Sequence, residues 1–394
     1  DMLTGGPLPN DIEEYIMFDE EEAEIEILFY IINGNKRYKV KYKLVITRSE
    51  EDTYIKQESL DYWFKSNINE DWNRVKGLIQ SLAHENSILP KYRNDELINL
   101  YKDANDFIVN KKIKQKNNQS LMFSKDLIDL LNKNFGKIDE DYEILSILKH
   151  YAISNLFIID NQKLALSDAN IVLPMNFKNY GENRGTTFGV MPIGLDNPEF
   201  LPRDVVKEIE KSLIDSNKVI SEIIPELRIE MKEIKFQTSK SGQEEVQVEL
   251  FSCRGDVKIP MRYESDGIKK IVAVVHLLIA MYNYRSMSVV IDELDSGIFE
   301  YLLGEILEIL EKRGKGQLIF TSHNLRPLEV LNKNNLVFTT VNSQNRYIKL
   351  KNIKTNNNLR DMYYRDLILG GQDEVIYDKT NSSKITRAFR KAGE

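Results

Sequence analysis

The chain has 394 residues, of which 42% are hydrophobic and 29% are charged, and this composition is typical of a globular protein with two or three structural units. The formal net charge of −7 argues against a protein that coats nucleic acid with its whole surface, although it is compatible with a local basic patch. The single cysteine, Cys253, excludes an internal disulfide framework and indicates a reducing cytoplasm, and four histidines with one cysteine argue against a zinc cluster.

Neither a membrane span nor a signal peptide is predicted. The longest apolar run, IVAVVHLLIAMY (271–282), is interrupted by His276 and is shorter than the roughly 18–20 residues that a span needs. It therefore predicts a buried helix. The first residue is Asp rather than Met, so we expect this sequence to be part of a longer protein.

The first half begins with two β-rich runs within 23–47, separated by Asn33-Gly34-Asn35. Asn-Gly supplies the positive φ values of a tight turn, which predicts an antiparallel hairpin in an N-terminal lobe over 1–57. The next stretch, 58–225, has apolar residues at helical spacing and is predicted to be a mainly helical insertion. Its helical segments are 74–85, 95–109, 126–135, 143–153 and 204–214. The Gly-, Asn- and Pro-rich stretch 170–198 is predicted to be loop.

The second half alternates strands and helices. Strands are predicted at 227–237, 244–252, 287–292, 317–321 and 335–341, and helices at 266–283 and 298–312. Strands alternating with helices indicate a largely parallel sheet, whose functional groups gather where the strands end. We therefore expect an α/β fold with its site at that edge.

The strand SMSVVI ends in Asp292 and Glu293, and Asp295 follows two positions later. A carboxylate at the end of a buried strand is costly unless a cation or hydrogen-bond donors neutralise it. Asp292 is therefore a candidate ligand for Mg²⁺, and Glu293 is a candidate to polarise the water that attacks a γ-phosphate. Taken alone, the pair is a weak signal and is better explained as capping or surface acids.

Two further motifs flank this pair. Upstream, Ser265 and Asp266 are good N-cap residues and Gly267 permits close backbone approach, so the following helix presents an N-terminus that suits phosphate oxygens. Downstream, QLIFTSHN places His323 after another apolar strand, where it can hydrogen-bond a phosphate or a water. Singly, these motifs are also explained by an ordinary capped core helix and by a histidine that caps the next helix.

In combination the motifs resemble the ABC-type ATPases of the SMC/Rad50 and overcoming-lysogenization-defect (OLD) class. SDGIKK corresponds to their signature motif, VVIDE to Walker B, LDSG to the D-loop and TSHN to the switch-histidine loop. The resemblance is closest to the AAA_15-type ATPases of bacterial abortive-infection and anti-phage systems. The resemblance is strong over residues 225–345. The predicted hairpin and IKQESLDYW (55–63) show a moderate resemblance to the sequence pattern of these ATPases.

This resemblance implies an ABC-type P-loop NTPase head, with the lobe 1–57, the insertion 58–225 and a C-terminal ATPase lobe 226–394. It implies that Ser265 and Gly267 touch the γ-phosphate of ATP bound by a second protomer. It also implies that Asp292 holds Mg²⁺, that Asp295 lies at the dimer seam, and that Glu293 and His323 are catalytic. The segment Glu264–Ile268 departs from the usual Leu-Ser-Gly-Gly-Gln, which argues against a transporter.

The phosphate loop of such an ATPase, G-x-x-x-x-G-K-[ST], is missing from the 394 residues. The nearest approach, YGENRGTTFG (180–189), contains no lysine and no strong strand precedes it. Two explanations stay open at this point: the loop belongs to a preceding segment, which the retained Asp292 and Glu293 favour, or the protein is a degenerate ATPase.

The C-terminal tail after His323 is too short for the Toprim nuclease domain that OLD nucleases carry. Its acidic cluster is predicted to be a solvent-exposed surface (Asp373, Glu374, Asp378). A short basic helix is also predicted in the tail, with Lys384, Arg387, Arg390 and Lys391. Any nuclease effector is therefore expected on a separate chain.

The resemblance implies a cytoplasmic sensor or scaffold ATPase of an anti-phage system. Such a protein forms homo-oligomers through head-to-tail dimers around Mg²⁺ and ATP, controls a Toprim-like nuclease, and responds to a phage protein or to DNA, with no membrane partner. The alternatives are a DNA-repair or recombination ATPase of the RecF/Rad50 kind, which would need a basic groove, and an inactive structural module.

Overall fold

A computed structural model describes residues 2–9, 12–48, 53–83, 105–129, 140–159, 170–178, 186–239, 242–349, 359–369, 374–377 and 380–393. The chain forms two compact units, Asp1–Ser154 and Asn155–Glu394. Within the described residues, no helix is long and apolar enough to cross a membrane.

The first unit is built on an antiparallel sheet in the order β1-β2-β3-β4. Its elements are β1 (Glu22–Asn33), β2 (Lys36–Arg48), β3 (Thr53–Lys65), β4 (Asn73–Leu82), α1 (Asn105–Lys116) and α2 (Glu140–Ser154). The predicted hairpin is confirmed: β1 and β2 pair from Glu22↔Thr47 to Asn33↔Lys36, and Gly34 has a φ of +57° in the turn between them.

One face of this sheet is packed into the core of the unit. The alternating residues Tyr38, Val40, Tyr42 and Leu44 of β2 are almost fully buried. They pack with side chains of 121–127 and of α2 in one apolar cluster. The opposite face of β2 is less buried, as expected for an antiparallel sheet covered on one side only.

A buried carboxylate joins the sheet to the segment after α1. Glu58 of β3 accepts hydrogen bonds from the Tyr42 hydroxyl (2.9 Å), the Ser120 hydroxyl (2.5 Å) and the backbone N–H groups of Leu121 (3.0 Å) and Met122 (3.4 Å). Burial raises the pKa of Glu58, and the four donors oppose that shift. The charge is therefore fully partnered, which is the usual condition for burying a carboxylate.

The second unit contains the remaining strands and helices. The strands are β5 (Leu156–Ile159), β6 (Asn170–Lys178), β7 (Thr186–Gly194), β8 (Glu199–Pro202), β9 (Leu227–Thr238), β10 (Glu244–Arg254), β11 (Val257–Pro260), β12 (Ser288–Ile291), β13 (Gln317–Phe320), β14 (Phe338–Thr339) and β15 (Tyr347–Ile348). The helices are α3 (Arg203–Ile223), α4 (Asp266–Asn283), α5 (Glu300–Arg313), α6 (Pro327–Val330), α7 (Leu359–Leu369) and α8 (Ser382–Ala392).

Two of the sheets in this unit determine where the site lies. An antiparallel sheet has the order β11-β10-β8, with β9 also paired to β10. The predicted parallel sheet is confirmed by β13-β12-β5, in which β12 pairs in parallel with both neighbours. Helix α4 contributes to two apolar clusters of the unit, through Val274 and Leu277 to one and Val272 and Val275 to the other.

Two sequence expectations are wrong. The segment 74–85, predicted as helix, contains β4, which pairs with β3 at Tyr62↔Val75 and Leu60↔Ile79. Its apolar spacing matched a helix, but ladder pairing with β3 overrides that pattern, and Gly77 already weakened the helical prediction. The stretch 170–198, predicted as loop, contains the antiparallel hairpin β6–β7. Its two strands, 170–178 and 186–194, each contain Val, Ile and Phe and pair with one another.

In the described part of 58–225, strands β4 to β8 therefore accompany the helices α1 to α3. The boundary between the two units falls after Ser154, whereas the sequence predicted boundaries after residues 57 and 225. Helices were correctly predicted at 143–153 and 204–214, where α2 and α3 lie. Residues 95–104 and 130–135 of two other predicted helices lie outside the described residues.

The tail after β15 contains the predicted basic helix as α8, whose N-cap Asn381 accepts a hydrogen bond from Lys384 N at 3.0 Å. Of the acidic cluster, Glu374 accepts hydrogen bonds from the side chains of Asn342 (2.7 Å) and Asn345 (2.8 Å). Asp373 and Asp378 lie outside the described residues. Glu374 therefore has a local structural role.

The interior histidine of α4 makes the fold sensitive to acid. His276 is 4% exposed, contacts the Ser216 hydroxyl through Nδ1, and burial lowers its pKa to about 3. Between its ordinary pKa of 6.5 and pH 3 the unfolded chain takes up a proton that the folded chain does not. Stability therefore falls as the pH falls through this window, by up to about 1.4 kcal/mol per pH unit.

We expect His276→Gln to flatten the pH dependence of the unfolding free energy between about pH 6 and 4, because the variant has no histidine at this position to protonate on unfolding. Chemical denaturation followed by circular dichroism measures this free energy at each pH. His150→Gln, at an exposed position on α2, is the matched control and should leave the slope unchanged. Equal slopes in wild type and His276→Gln would show that His276 is not held neutral.

Candidate functional site

The site lies at the carboxyl edge of the parallel sheet, where β12 and β13 end side by side. The two strands are paired up to Ile291↔Phe320, so the residues that follow them emerge together. The N–H of Asp292 donates to Ile159 O of β5 (2.9 Å), and the N–H of Thr321 donates to Ile291 O (3.2 Å). Backbone pairing thus fixes where the acidic turn begins.

Thr321 links the two strand ends through its side chain. Its hydroxyl donates to Asp292 Oδ1 (2.5 Å) and accepts from Glu293 N (2.7 Å). In addition, the N–H of Leu294 donates to Thr321 O (3.0 Å). One hydroxyl therefore sets the direction of the Asp292 carboxylate and of the following peptide.

Asp292 is exposed, so the burial cost that the sequence argument assigned to a carboxylate at the end of this strand does not apply. The strand ends at Ile291, which is fully buried, and the chain turns outward one residue later. Burial cost therefore does not require a cation at Asp292. Its position beside Glu293 and Thr321 is the property that makes it a candidate ligand.

Glu293 occupies an unusual backbone conformation. Its φ is +47°, in the left-handed region that costs a non-glycine residue about 1–3 kcal/mol. Its carboxylate Oε1 lies 3.8 Å from Nε2 of His323, whose side chain is 88% exposed. The two residues expected from the sequence to act on a water thus face one another from the ends of adjacent strands.

Asp295 connects the acidic turn to the loop after β13. Its carboxylate accepts hydrogen bonds from the backbone N–H groups of His323 (3.2 and 3.3 Å) and Asn324 (3.0 Å). These bonds hold the backbone of His323 beside the turn. The position of Asp295 at a dimer seam, implied by the sequence resemblance, stays a prediction.

The capped helix meets the same turn. Ser265 accepts a hydrogen bond from Ile268 N (3.4 Å) and is itself exposed. Gly267 lies against the backbone of Gly297, and a Cβ at position 267 would collide with Gly297 O. Gly297 has a φ of +75°, which favours glycine. Gly267 thus permits close approach to a turn of its own chain, whereas the sequence indicated approach to a phosphate.

Lys270 belongs to the site but was missed in the sequence. It is 7% exposed in the first turns of α4, directly before the apolar run that begins at Ile271, and its Nζ donates to the backbone oxygen of Glu293. Burial lowers the pKa of Lys270, and the carboxylates of Asp295, Glu293 and Asp292 partly oppose this. The available signal was a lysine directly before the apolar run 271–282, because an ammonium group that is buried there needs acceptors.

The residues present fit a magnesium ion that is held mostly by a substrate. One oxygen of Asp292 is engaged by Thr321, and the exposed carboxylate keeps a second oxygen for a ligand. Mg²⁺ typically uses one or two carboxylates together with waters and substrate phosphates. Within the described residues, no group of three or more His, Cys, Asp or Glu side chains could hold a metal by itself.

No protein-family model matches the chain, and no curated protein matches it. Solved structures similar to it include SMC ATPase domains. One comes from work on ATP-driven dimerization and DNA-stimulated activation of SMC ATPases: it is 12% identical, the match covers 43% of this chain and 98% of that one, and the TM-score is 0.30.

Two further similar structures are SMC heads with a bound partner. The Smc head bound to the C-winged helix domain of ScpA is 8% identical, with 74% of this chain and 68% of that one covered and a TM-score of 0.31. The Pyrococcus furiosus Smc head bound to the C-terminal domain of ScpA is 11% identical, with 74% and 71% covered and a TM-score of 0.23. At these values the likeness carries no argument about this chain.

We expect Lys270→Met to loosen the acidic turn, because Glu293 O loses a charged donor. Such a hydrogen bond contributes roughly 1.5–3 kcal/mol, so amide exchange at Leu294 and Ser296 should accelerate at least about tenfold in native-state hydrogen exchange. Lys269→Met is the matched control, since Lys269 pairs with Asp196 at 2.7 Å instead. Unchanged exchange in Lys270→Met would contradict the role given to Lys270.

Proposed function

We propose that this protein binds and hydrolyses ATP as an ABC-type ATPase. The observation that carries the proposal is the meeting of three separate sequence motifs at one sheet edge. Glu293 faces His323 at 3.8 Å, Asp292 is oriented by Thr321, and the helix capped by Ser265 packs through Gly267 against Gly297. Each motif alone has a simple structural explanation, whereas their joint position favours a phosphate-transfer site.

Each of these residues has a role in the proposed reaction. Asp292 would hold Mg²⁺, which when bound neutralises phosphate charge and orients the triphosphate. The Glu293 carboxylate accepts a hydrogen bond from the attacking water and orients it, since general-base residues must lie within hydrogen-bond reach of the proton. His323, held beside the turn by Asp295, donates a hydrogen bond toward the γ-phosphate or the same water.

The exposed N-terminus of α4 provides the second half of the proposed site. Ser265 and the adjoining N–H groups form a phosphate-binding end of a helix, with the positive end of its dipole directed outward. Because Ser265 is exposed, it is available to ATP bound by a second copy. We therefore propose head-to-tail dimers in which nucleotide occupancy controls assembly.

The biological role in this proposal follows from the sequence resemblance. The protein would act in the cytoplasm as the sensor or scaffold subunit of an anti-phage, abortive-infection system of the OLD/AAA_15 type. A phage protein or DNA would be the trigger, and the effector would be a separate Toprim-like nuclease. The proposal predicts a Toprim-like nuclease gene beside the gene for this protein. Deleting such a gene should abolish phage resistance while leaving ATP turnover intact.

An inactive structural module is the second candidate, and one observation favours it. The 394 residues contain no G-x-x-x-x-G-K-[ST] sequence, so the ATPase proposal requires a phosphate loop from polypeptide outside them. The two candidates differ in one property, which is Mg²⁺-dependent ATP turnover by the full-length protein.

We expect Glu293→Gln to lower Mg²⁺-dependent ATP turnover of the full-length protein by about 10²–10⁴-fold, because the amide cannot accept the proton of the attacking water. ATP binding, measured with a fluorescent ATP analogue, should persist. The control is Glu305→Gln, the same exchange at an exposed position of α5, which should leave turnover unchanged.

Turnover that survives Glu293→Gln would show that another group orients the water. A full-length protein that neither binds nor hydrolyses ATP would favour the inactive module.

A further inference from the structure

The solvent-facing side of the first unit carries a row of cations. Strand β2 alternates, so that Tyr38, Val40, Tyr42 and Leu44 enter the core. The residues between them, Arg37, Lys39, Lys41 and Lys43, lie on the opposite face of the sheet. Four basic side chains therefore follow one another along a single strand at every second position.

One end of this row is neutralised by acidic neighbours. Lys41 forms an ion pair with Glu26 of β1, and Lys43 forms one with Glu24 at 2.7 Å. Asp61 of β3 also stands opposite Lys41 in the ladder. This end is a mixed-charge surface, as is common on exposed antiparallel sheets.

The other end has cations without acidic partners. Arg37 stands opposite Lys65 of β3, so two cations are paired across strands. The ammonium groups of Lys39 and Lys65 lie 4.5 and 5.1 Å from the centroid of the same ring, Trp72. Throughout the part of the chain that the structure describes, no carboxylate forms an ion pair with Arg37, Lys39 or Lys65. Like charges gathered in this way repel one another, and a bound anion would relieve the repulsion.

Glu70, two positions before Trp72 in the same loop, does not neutralise this end. The Glu70 carboxylate accepts hydrogen bonds from the backbone N–H of Ser66 (3.1 Å) and from the side chain of Asn67. It therefore closes its own turn. The Lys65 ammonium group donates to Ile68 O (2.9 Å) and lies beside the Trp72 ring, and neither group carries a negative charge.

Apolar and aromatic surface lies beside these cations. Tyr30 of β1 is 58% exposed and stands edge-on to Trp72, with the ring centroids 6.2 Å apart at 70°. Leu28 and Ile32, on the same face of β1, are 64% and 56% exposed. An exposed apolar patch of this kind is unusual on a surface that contacts only water, and it indicates an interaction site.

A single-stranded nucleic acid matches both properties of this surface. Its phosphates suit clustered lysine and arginine, and its unpaired bases offer flat faces that stack on aromatic rings. A duplex would satisfy only the cations, because its bases are already stacked within the helix. An acidic peptide would likewise leave the exposed Tyr30 ring without a flat partner.

We propose that the aromatic–basic face, formed by Tyr30, Arg37, Lys39, Lys65 and Trp72, binds single-stranded nucleic acid without sequence preference. The cations contact the phosphate backbone, and a base stacks on Tyr30 beside Leu28 or Ile32. This site lies within the first unit, so the inference goes beyond the proposed ATPase function and does not depend on it.

The test is fluorescence anisotropy of a labelled oligothymidylate of about 20 nucleotides, longer than the roughly 4–16 nucleotides that one such surface covers. The full chain should bind it more tightly than a hairpin duplex of equal charge. Lys39→Ala/Lys65→Ala should weaken binding at least about tenfold and lower the slope of log K against log salt by roughly 1.4, at 0.7 per single-strand phosphate contact.

Tyr30→Ala separates stacking from charge. It should weaken single-strand binding roughly five- to hundredfold, as expected for loss of one stacked base, with the salt slope unchanged. The matched control is Lys41→Ala/Lys43→Ala, which removes the same charge from the neutralised end and should have little effect.

Three outcomes would overturn the proposal: no binding of the oligonucleotide at low salt, equal losses from the two double-lysine variants, or a duplex preference that Tyr30→Ala leaves unchanged. The last result would identify a surface for duplex phosphates only. Thermal unfolding of each variant shows whether its fold is intact, and these half-buried or exposed positions should tolerate alanine.

Discussion

The hydroxyl of Thr321 is the interaction on which the candidate site depends. It donates to the carboxylate of Asp292 and accepts from the N–H of Glu293, so one small group fixes two consecutive residues at the end of β12. Parallel pairing delivers Thr321 to this position, because β12 and β13 end level with one another. With a different register, the acidic pair and the histidine loop would lie at different positions along the strand direction and could not contact the same bound molecule.

The left-handed backbone at Glu293 has a structural cause in the same turn. Thr321 binds its N–H from one side and Lys270 binds its carbonyl from the other. A buried lysine usually costs free energy, and here the negative charges of Asp295, Glu293 and Asp292 favour the charged ammonium group. The turn and the capped helix therefore stabilise each other, and movement of α4 would move Glu293.

Much of the second unit could be predicted from the sequence, because its elements are locally consistent. The apolar run of α4, the cap Ser265 and the short strands around Val290 and Ile319 each carry a single strong pattern. The strands β4, β6 and β7 could not be predicted in this way. Pairing with a neighbouring strand, rather than the spacing of their own apolar residues, determines their structure. In the site, the six candidate residues were found by motif. The roles of Thr321 and Lys270 depend on contacts between distant segments, which spacing alone does not specify.

The most direct measurement is a crystal structure of the full-length protein with Mg²⁺ and a non-hydrolysable ATP analogue. We expect Mg²⁺ beside the Asp292 carboxylate with the Thr321 bond retained, Glu293 and His323 on the γ-phosphate side, and Ser265 of a neighbouring copy facing that phosphate. A nucleotide bound away from this sheet edge, or an Asp292 carboxylate turned away from both metal and phosphate, would contradict the assignment of this edge as the catalytic site.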